Sequence, residues 1–266
     1  MSKITVATLK KMKQAGEKFA CLTAYDAMFA QVLETAGVEV LLVGDSLGMV
    51  ILGHESTLPV TIDNIIYHTQ AVSRGSQDAL IMADMPFMSY PDEAQAIDNA
   101  GRLLKEGGAH IVKLEGGAAF VDIVRKLTTF GIPVCGHLGL LPQSVNKMGG
   151  YKVQGKDEQS AKSILADAKA LQEAGCDVML LECVPMDLAK QVTESLEIPV
   201  IGIGAGQDCD GQVLVLQDML GLTPGKRPRF VQDFLRDTGS ISAAVEAYVK
   251  AVKSGAFPLE QHSFSA

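Results

Sequence analysis

Five short apolar runs in this chain each end on a side chain that can bind a cation or move a proton. They are VLLVGD ending on Asp45, LIMAD on Asp84, IVKLE on Glu115, PVCGH on His137 and VMLLE on Glu182. Runs of Val, Ile, Leu and Met this short suit strands buried on both faces, as parallel strands are. In a closed barrel all strand ends share one face, so residues distant in sequence converge there. What converges is mostly acidic, and unpaired carboxylates repel unless a cation neutralises them. Oxygen donors without histidine partners suit a hard cation, and Mg²⁺ is usually held by one or two carboxylates plus substrate and water. Asp45 and Asp84 are the candidate pair. At each position the competing reading is that the acid caps the following helix.

The neighbouring residues extend this chemistry. Lys113 lies two residues before Glu115 and faces the same side of its strand. The two form either a structural ion pair or a working pair, with Lys113 on an anionic substrate and Glu115 supporting the metal, directly or through water. Glu182, at the end of an apolar strand, is expected in a dry setting that raises its pKa and makes it a general base. An N-cap ahead of Pro185 is the alternative there. His137 orients a carboxylate or touches the substrate, or else is a satisfied core histidine. Ser46 can donate to a substrate carboxylate, and no G-x-S-x-G elbow surrounds it. GIGAG, with Gly202, Gly204 and Gly206, is not G-x-G-x-x-G, so close backbone packing or approach to a ligand explains it better than dinucleotide binding.

The elements that must position these residues alternate. Strands are predicted at about 19–24, 39–44, 79–83, 110–114, 133–136, 177–182, 199–203 and 212–217, with helical periodicity between them. Eight such units predict an α/β fold closed into a (β/α)8 TIM barrel, read as one domain over 1–266. A helix over Thr5–Gln14, with Leu9 and Met12 inward, is expected to plug the barrel bottom. Helical pattern over Val231–Ser254 is expected outside the barrel or on a neighbouring subunit. Ser46–Thr61 and Leu138–Gly155 are longer than a βα turn needs and read as walls or lids over the pocket.

Bulk properties narrow the partners. A net charge of −8 argues against nucleic acid or an anionic membrane surface, leaving small molecules. The five cysteines form no C-x-x-C pair and read as reduced core residues of a cytoplasmic protein. No run of 18 apolar residues and no apolar leader segment occur, so neither a membrane span nor secretion is expected.

Taken together, TAYD (23–26), VGDSLGM with GHESTLPVT (43–61), ADMPFMSY (83–90), KLEGG (113–117), GHLGLLPQSVNKMGGYKVQG (136–155), LLECVP (180–185), IPVIGIGAG (198–206) and HSF (262–264) resemble the ketopantoate hydroxymethyltransferase family over nearly the whole chain. The resemblance implies a barrel of the phosphoenolpyruvate/pyruvate type. It implies transfer of a one-carbon unit from 5,10-methylenetetrahydrofolate to 3-methyl-2-oxobutanoate, the first committed step toward pantothenate and coenzyme A. It further implies Mg²⁺ at Asp45 and Asp84 with Glu115 nearby, oxo acid contacts from Asp45, Ser46, Asp84 and Lys113, and Glu182 as proton acceptor. A homo-oligomeric ring, commonly decameric, is implied as well. Two other classes compete: a Mg²⁺-dependent lyase or mutase of the same barrel group, and a non-catalytic binding protein for small acids. The loop Leu138–Gly155 holds no cysteine, as such a lyase would often carry, and a binding protein leaves Lys113, Glu115 and Glu182 without a role.

Overall fold

A computed structural model describes residues 3–225 and 227–266; Met1 and Ser2, at the start of the segment read for a leader, lie outside them. Eight parallel strands close in sequence order, β1 beside β8. They are β1 Phe19–Thr23, β2 Val40–Val43, β3 Leu80–Asp84, β4 Ile111–Glu115, β5 Val134–Gly139, β6 Val178–Glu182, β7 Val200–Ile203 and β8 Gly211–Leu214. Closure depends on a glycine. Gly211 pairs with Phe19, and a Cβ there would fall 2.4 Å from the Phe19 ring.

The helices are α1 Val6–Ala15, α2 Ala27–Thr35, α3 Leu47–Val50, α4 Ile62–Gly75, α5 Glu93–Arg102, α6 Val121–Thr129, α7 Val145–Met148, α8 Glu158–Glu173, α9 Met186–Ser195, α10 Leu216–Met219 and α11 Ile241–Lys253. Alternation along each strand sorts the core in two. One set of side chains, including Cys21, Leu42, Met82, Cys135, Leu180 and Val213, fills the barrel interior. The other packs outward against the helices. Leu9 of α1 belongs to the interior set, with Ile4, Val6 and Met12 beside it, so α1 plugs the barrel as its pattern predicts. All five cysteines are free and buried.

Several boundaries differ from the sequence reading, each for a local reason. β5 runs on to Gly139 because His137, Leu138 and Gly139 continue in register with Leu180, Leu181 and Glu182. The run expected to 217 stops at Leu214, since the chain turns into α10 where the Leu216 N–H donates to Thr23 Oγ1 at 2.9 Å. The helical pattern after Val231 becomes helix only at Ile241, behind Gly239 at φ +76° and the Ser240 cap. α11 packs on β1, and the Tyr248 hydroxyl lies 3.0 Å from the Cys21 carbonyl and 2.8 Å from that of Gln212, across the β1–β8 seam. No helix among the described residues is long and apolar enough to cross a membrane.

Candidate active site

Asp45, Ser46, Asp84, Lys113, Glu115, His137 and Glu182 all line one cavity of about 280 Å³ at the C-terminal face of the barrel. The helix-capping alternative fails for the strand-end acids. Of the helices that follow these acids, α4 is capped by Thr61 and α5 by Asp92, while α3, α6 and α9 have no side-chain cap bond. The strand-end side chains are left to face inward.

Register sets their pairing. β3 and β4 place Asp84 beside Lys113, and Nζ reaches Asp84 Oδ1 at 3.0 Å. The alternative in which Lys113 pairs with Glu115 is therefore corrected: the partner lies across the strands, not along one. Glu115 Oε2 accepts from the Gln143 N–H at 3.0 Å, and its Oε1 is 3.5 Å from His137 Nδ1. His137 Nε2 stands 3.3 Å from Glu182 Oε2. Beyond these ion-pair contacts, Asp84 Oδ1, Glu115 Oε1 and His137 Nε2 have no further partner among the described residues. Asp84 Oδ2 accepts from the Asp45 N–H at 2.9 Å. That approach needs Gly44, whose added Cβ would sit 3.0 Å from Ser46 Oγ and 3.5 Å from Asp84 Oδ2.

Electrostatically, four carboxylates face one lysine and one imidazole. Burial, then the charges of Asp84 and Glu115, push the Asp45 carboxyl well above its ordinary value, more than Lys113 and Gln143 pull it down. Burial likewise raises Asp84 despite the opposing pull of Lys113. Burial alone would raise Glu115, but His137, Lys113 and the Gln143 N–H outweigh it and hold it low. The same carboxylates overcome the burial that would discharge Lys113. His137 is held above its ordinary value because Glu115 and Glu182 outweigh burial and Lys113. The dry setting expected of Glu182 lies instead at Asp45 and Asp84: the Glu182 side chain is 16% exposed, those of Lys113 and Asp84 4% and 3%.

No group of three or more His, Cys, Asp and Glu side chains gathers at metal-ligand spacing among the described residues. Within the expected trio of Asp45, Asp84 and Glu115, the Asp45 N–H joins the two aspartates as a pair, and Glu115 is engaged by the Gln143 N–H and by His137. The pair suits a cation that completes its shell with water and substrate.

Sequence reasoning missed three groups. Gln143 is buried, donates from Nε2 to Asp45 Oδ2 at 2.8 Å and to the Met85 carbonyl at 3.0 Å, and accepts from the Tyr90 hydroxyl at 2.6 Å. Tyr25 shares a hydrogen bond of 2.8 Å with Ser46 Oγ. Thr57 lines the cavity with a buried hydroxyl that has no partner in the protein. Both long segments wall the cavity, through Met49 and Thr57 in one and Pro142 and Tyr151 in the other. The lid reading of Leu138–Gly155 narrows accordingly, since residues up to Gln143 are strand or pinned into the site. Glu182 is fixed from two sides. Its carbonyl accepts from the Leu140 N–H at 2.8 Å, and the chain leaves it through Cys183 in the left-handed region at φ +47°.

A closed parallel barrel whose strand ends carry acids, a lysine and an imidazole defines a (β/α)8-barrel enzyme. A model of the family "Ketopantoate hydroxymethyltransferase" matches residues 3–260. Relatives named 3-methyl-2-oxobutanoate hydroxymethyltransferase include those of Nitrosococcus oceani, 60% identical over 99% of this chain and 100% of that one, and of Marinobacter nauticus, 58% identical over 99% of each. The chain belongs to the ketopantoate hydroxymethyltransferase family and is, like its members, a transferase of pantothenate biosynthesis. Among solved structures it shares its fold with phosphonopyruvate hydrolase in complex with oxalate and Mg²⁺ (TM-score 0.62, 14% identity, 97% of this chain and 93% of that one). A 2,3-dimethylmalate lyase of the PEP mutase/isocitrate lyase superfamily is similar to the same degree (TM-score 0.62, 16% identity, 95% and 99%).

Proposed function

We propose that the chain transfers the methylene carbon of 5,10-methylenetetrahydrofolate to 3-methyl-2-oxobutanoate as a hydroxymethyl group, one water supplying the hydroxyl as the carbon–nitrogen bond to the folate breaks, giving 2-dehydropantoate and tetrahydrofolate. The observation that carries this is the buried Asp45–Asp84 pair with Lys113 beside it, facing Glu182 across one cavity. The donor set is all oxygen, and among the described residues Lys113 is the one cation paired with the two buried aspartates, so Mg²⁺ fits the pair. The neighbouring barrel fold that holds oxalate and Mg²⁺ supports the same choice. Bound there, Mg²⁺ would supply charge neutralisation at the oxygens of a 2-oxo acid as it enolises.

The chain's own residues do the rest. Lys113, kept charged by its carboxylate neighbours, holds the substrate carboxylate. Ser46, oriented by the Tyr25 hydroxyl, adds a second hydrogen bond to it. Glu182, oriented by His137, removes the proton from C3, and that carbon then takes the one-carbon unit. Pro142 walls the cavity, and Gln143 behind it holds Asp45 in place through its Nε2 donation to Oδ2. The reading includes a cytoplasmic enzyme assembled as a homodecameric ring, as the family resemblance implies; light scattering of the purified protein checks the assembly. The deciding assay gives purified protein 3-methyl-2-oxobutanoate, 5,10-methylenetetrahydrofolate and Mg²⁺, with and without chelator. Formation of 2-dehydropantoate that stops in excess EDTA is expected, and no product in either condition would sink the reading.

A further inference from the structure

The cavity has a second lobe that the oxo acid chemistry leaves unused. The acids, the lysine and the imidazole stand at the ends of β2 to β6, whereas over β7 and β8 the lining is Ile203, Val213, Val215, Pro228 and Phe230. One charged side chain, Asp218 of α10, is set into that apolar wall. The Thr223 hydroxyl donates to its Oδ1. No ion pair neutralises it among the described residues, for the nearby Arg227 is committed to Asp233 at 2.8 Å. Burial pushes the Asp218 carboxyl above its ordinary value, with the Thr223 hydrogen bond and the charge of Arg227 opposing. A carboxylate partly stripped of water and half unpaired is costly unless a ligand brings donors to it.

The GIGAG motif shapes the same lobe. Gly204 has φ +60°, and a Cβ on it would lie 3.0 Å from the Phe230 ring and 3.1 Å from that of Phe264. Without the Cβ, both rings close onto the end of β7, and Phe230 presents an aromatic wall to the cavity.

A wall of this kind, apolar and aromatic with a single carboxylate, matches a flat heteroaromatic ring that carries two adjacent N–H donors on one edge. The oxo acid does not match it: 3-methyl-2-oxobutanoate has no N–H donor, and its own carboxylate is repelled by Asp218. The pteridine of a reduced folate does match, through N3–H and the 2-amino group. We propose that the β7–β8 lobe is the pterin subsite, with Asp218 accepting from N3–H and the 2-amino group and Phe230 packed against the ring. This inference rests on the reading above that a reduced folate is the one-carbon donor.

Asp218→Asn tests it. The amide oxygen that this substitution introduces can still accept from Thr223, so the fold is expected to persist, as a thermal midpoint at the wild-type value would verify. The amide's NH₂ then opposes the pterin donors. The KM for 5,10-methylenetetrahydrofolate should rise about 10- to 100-fold, the scale of losing a charged hydrogen-bonded pair, while the KM for 3-methyl-2-oxobutanoate holds. Calorimetric titration with tetrahydrofolate should show the same loss of affinity, and Asp218→Glu should recover part of it. An unchanged folate KM and affinity, or an equal rise in both KM values, overturns the assignment; the second outcome would place the oxo acid side chain in this lobe. Exchange of the C3 hydrogen of the oxo acid with deuterated water needs no folate and separates the two levels. Its absence in the wild type refutes the enolate reading itself, whereas its presence beside a folate KM indifferent to residue 218 refutes only the pterin subsite.

Discussion

The Asp45 backbone N–H donates to Asp84 Oδ2 at 2.9 Å, so the loop that carries one strand-end aspartate is fastened to the side chain of the other. The two acids are one unit: displacing Asp84 frees the backbone that aims Asp45. Asp84→Asn is therefore expected to damage the site twice, by removing a cation donor and by weakening that fastening. Either Asp45→Asn or Asp84→Asn should lower transferase activity by about 10³-fold, since a metal supplies several kcal/mol of charge stabilisation. EDTA should do the same to the wild type and Mg²⁺ restore it. Turnover unaffected by EDTA would remove the cation from the reaction.

Burial and the charges of Asp84 and Glu115 hold the Asp45 carboxyl above its ordinary value of 3.8, which makes its ionised form a cost to the metal-free fold. The sign follows from linkage. A carboxyl raised in the folded state contributes fully below its unfolded pKa, and that contribution is lost as pH rises through the folded value. Asp45→Asn keeps an acceptor for Gln143 and removes the charge, so in EDTA it should be more stable than wild type by about 1–3 kcal/mol near neutral pH. The gap should shrink toward about pH 4, where the wild-type carboxyl is neutral. Denaturant midpoints measured across that range check it, and a gap independent of pH would contradict it.

Gln143 joins Asp45, the Met85 carbonyl, Glu115 and Tyr90 in one buried network. Its amide is the group that can donate to a carboxylate and a carbonyl while accepting from a phenol. Gln143→Leu leaves Asp45 and Tyr90 without those partners and should cost about 1–3 kcal/mol of stability and about 10- to 100-fold in kcat/KM. Gln143→Glu sets another carboxylate against Asp45 and should be worse. If Gln143→Leu matches wild type in both stability and kinetics, the network is incidental.

How much of this site the sequence disclosed depended on the kind of signal each residue carries. Asp45, Asp84, Glu115 and Glu182 were visible because uninterrupted apolar runs announce buried strands and end where a polar residue begins. The pattern ends β5 early because His137 and Gly139 carry no apolar signal, although register with β6 extends the strand through them. The alternative that pairs Lys113 with Glu115 fails for a related reason. Spacing along a strand says which side chains share a face, but the pairing with Asp84 is set between strands. Gln143 and Asp218 gave no signal, since a glutamine in a loop and an aspartate in a short helix acquire their contacts only when distant segments fold over the barrel mouth.

The part of the long segment not pinned into the site runs from α7 to Gln154, whose N–H ties it back to the Cys183 carbonyl at 2.9 Å. Lys147 and Lys152 are exposed there, and Tyr151 reaches into the cavity lining. If this stretch closes over bound oxo acid, trypsin cleavage at both lysines should slow when Mg²⁺ and 3-methyl-2-oxobutanoate saturate the protein. Equal rates with and without ligand would leave it as a fixed wall.

Glu182 differs from the other three strand-end carboxylates in being the most exposed, 16% of its side chain, and its near neighbour is His137, which it shares with Glu115. A proton acceptor must reach the substrate and release the proton afterwards, and partial exposure at the cavity wall permits both. Glu182→Gln keeps size and polarity but cannot take a proton. It should still bind Mg²⁺ and 3-methyl-2-oxobutanoate, while losing product formation and the folate-independent exchange of the C3 hydrogen by about 10²- to 10⁴-fold, the range for a general base. Exchange isolates proton removal from the later bond formation. Should Glu182→Gln exchange that hydrogen at the wild-type rate and yet make no 2-dehydropantoate, the base lies elsewhere. His137, 3.3 Å away, would be the next group to test, and Glu182 would belong to the step that receives the one-carbon unit.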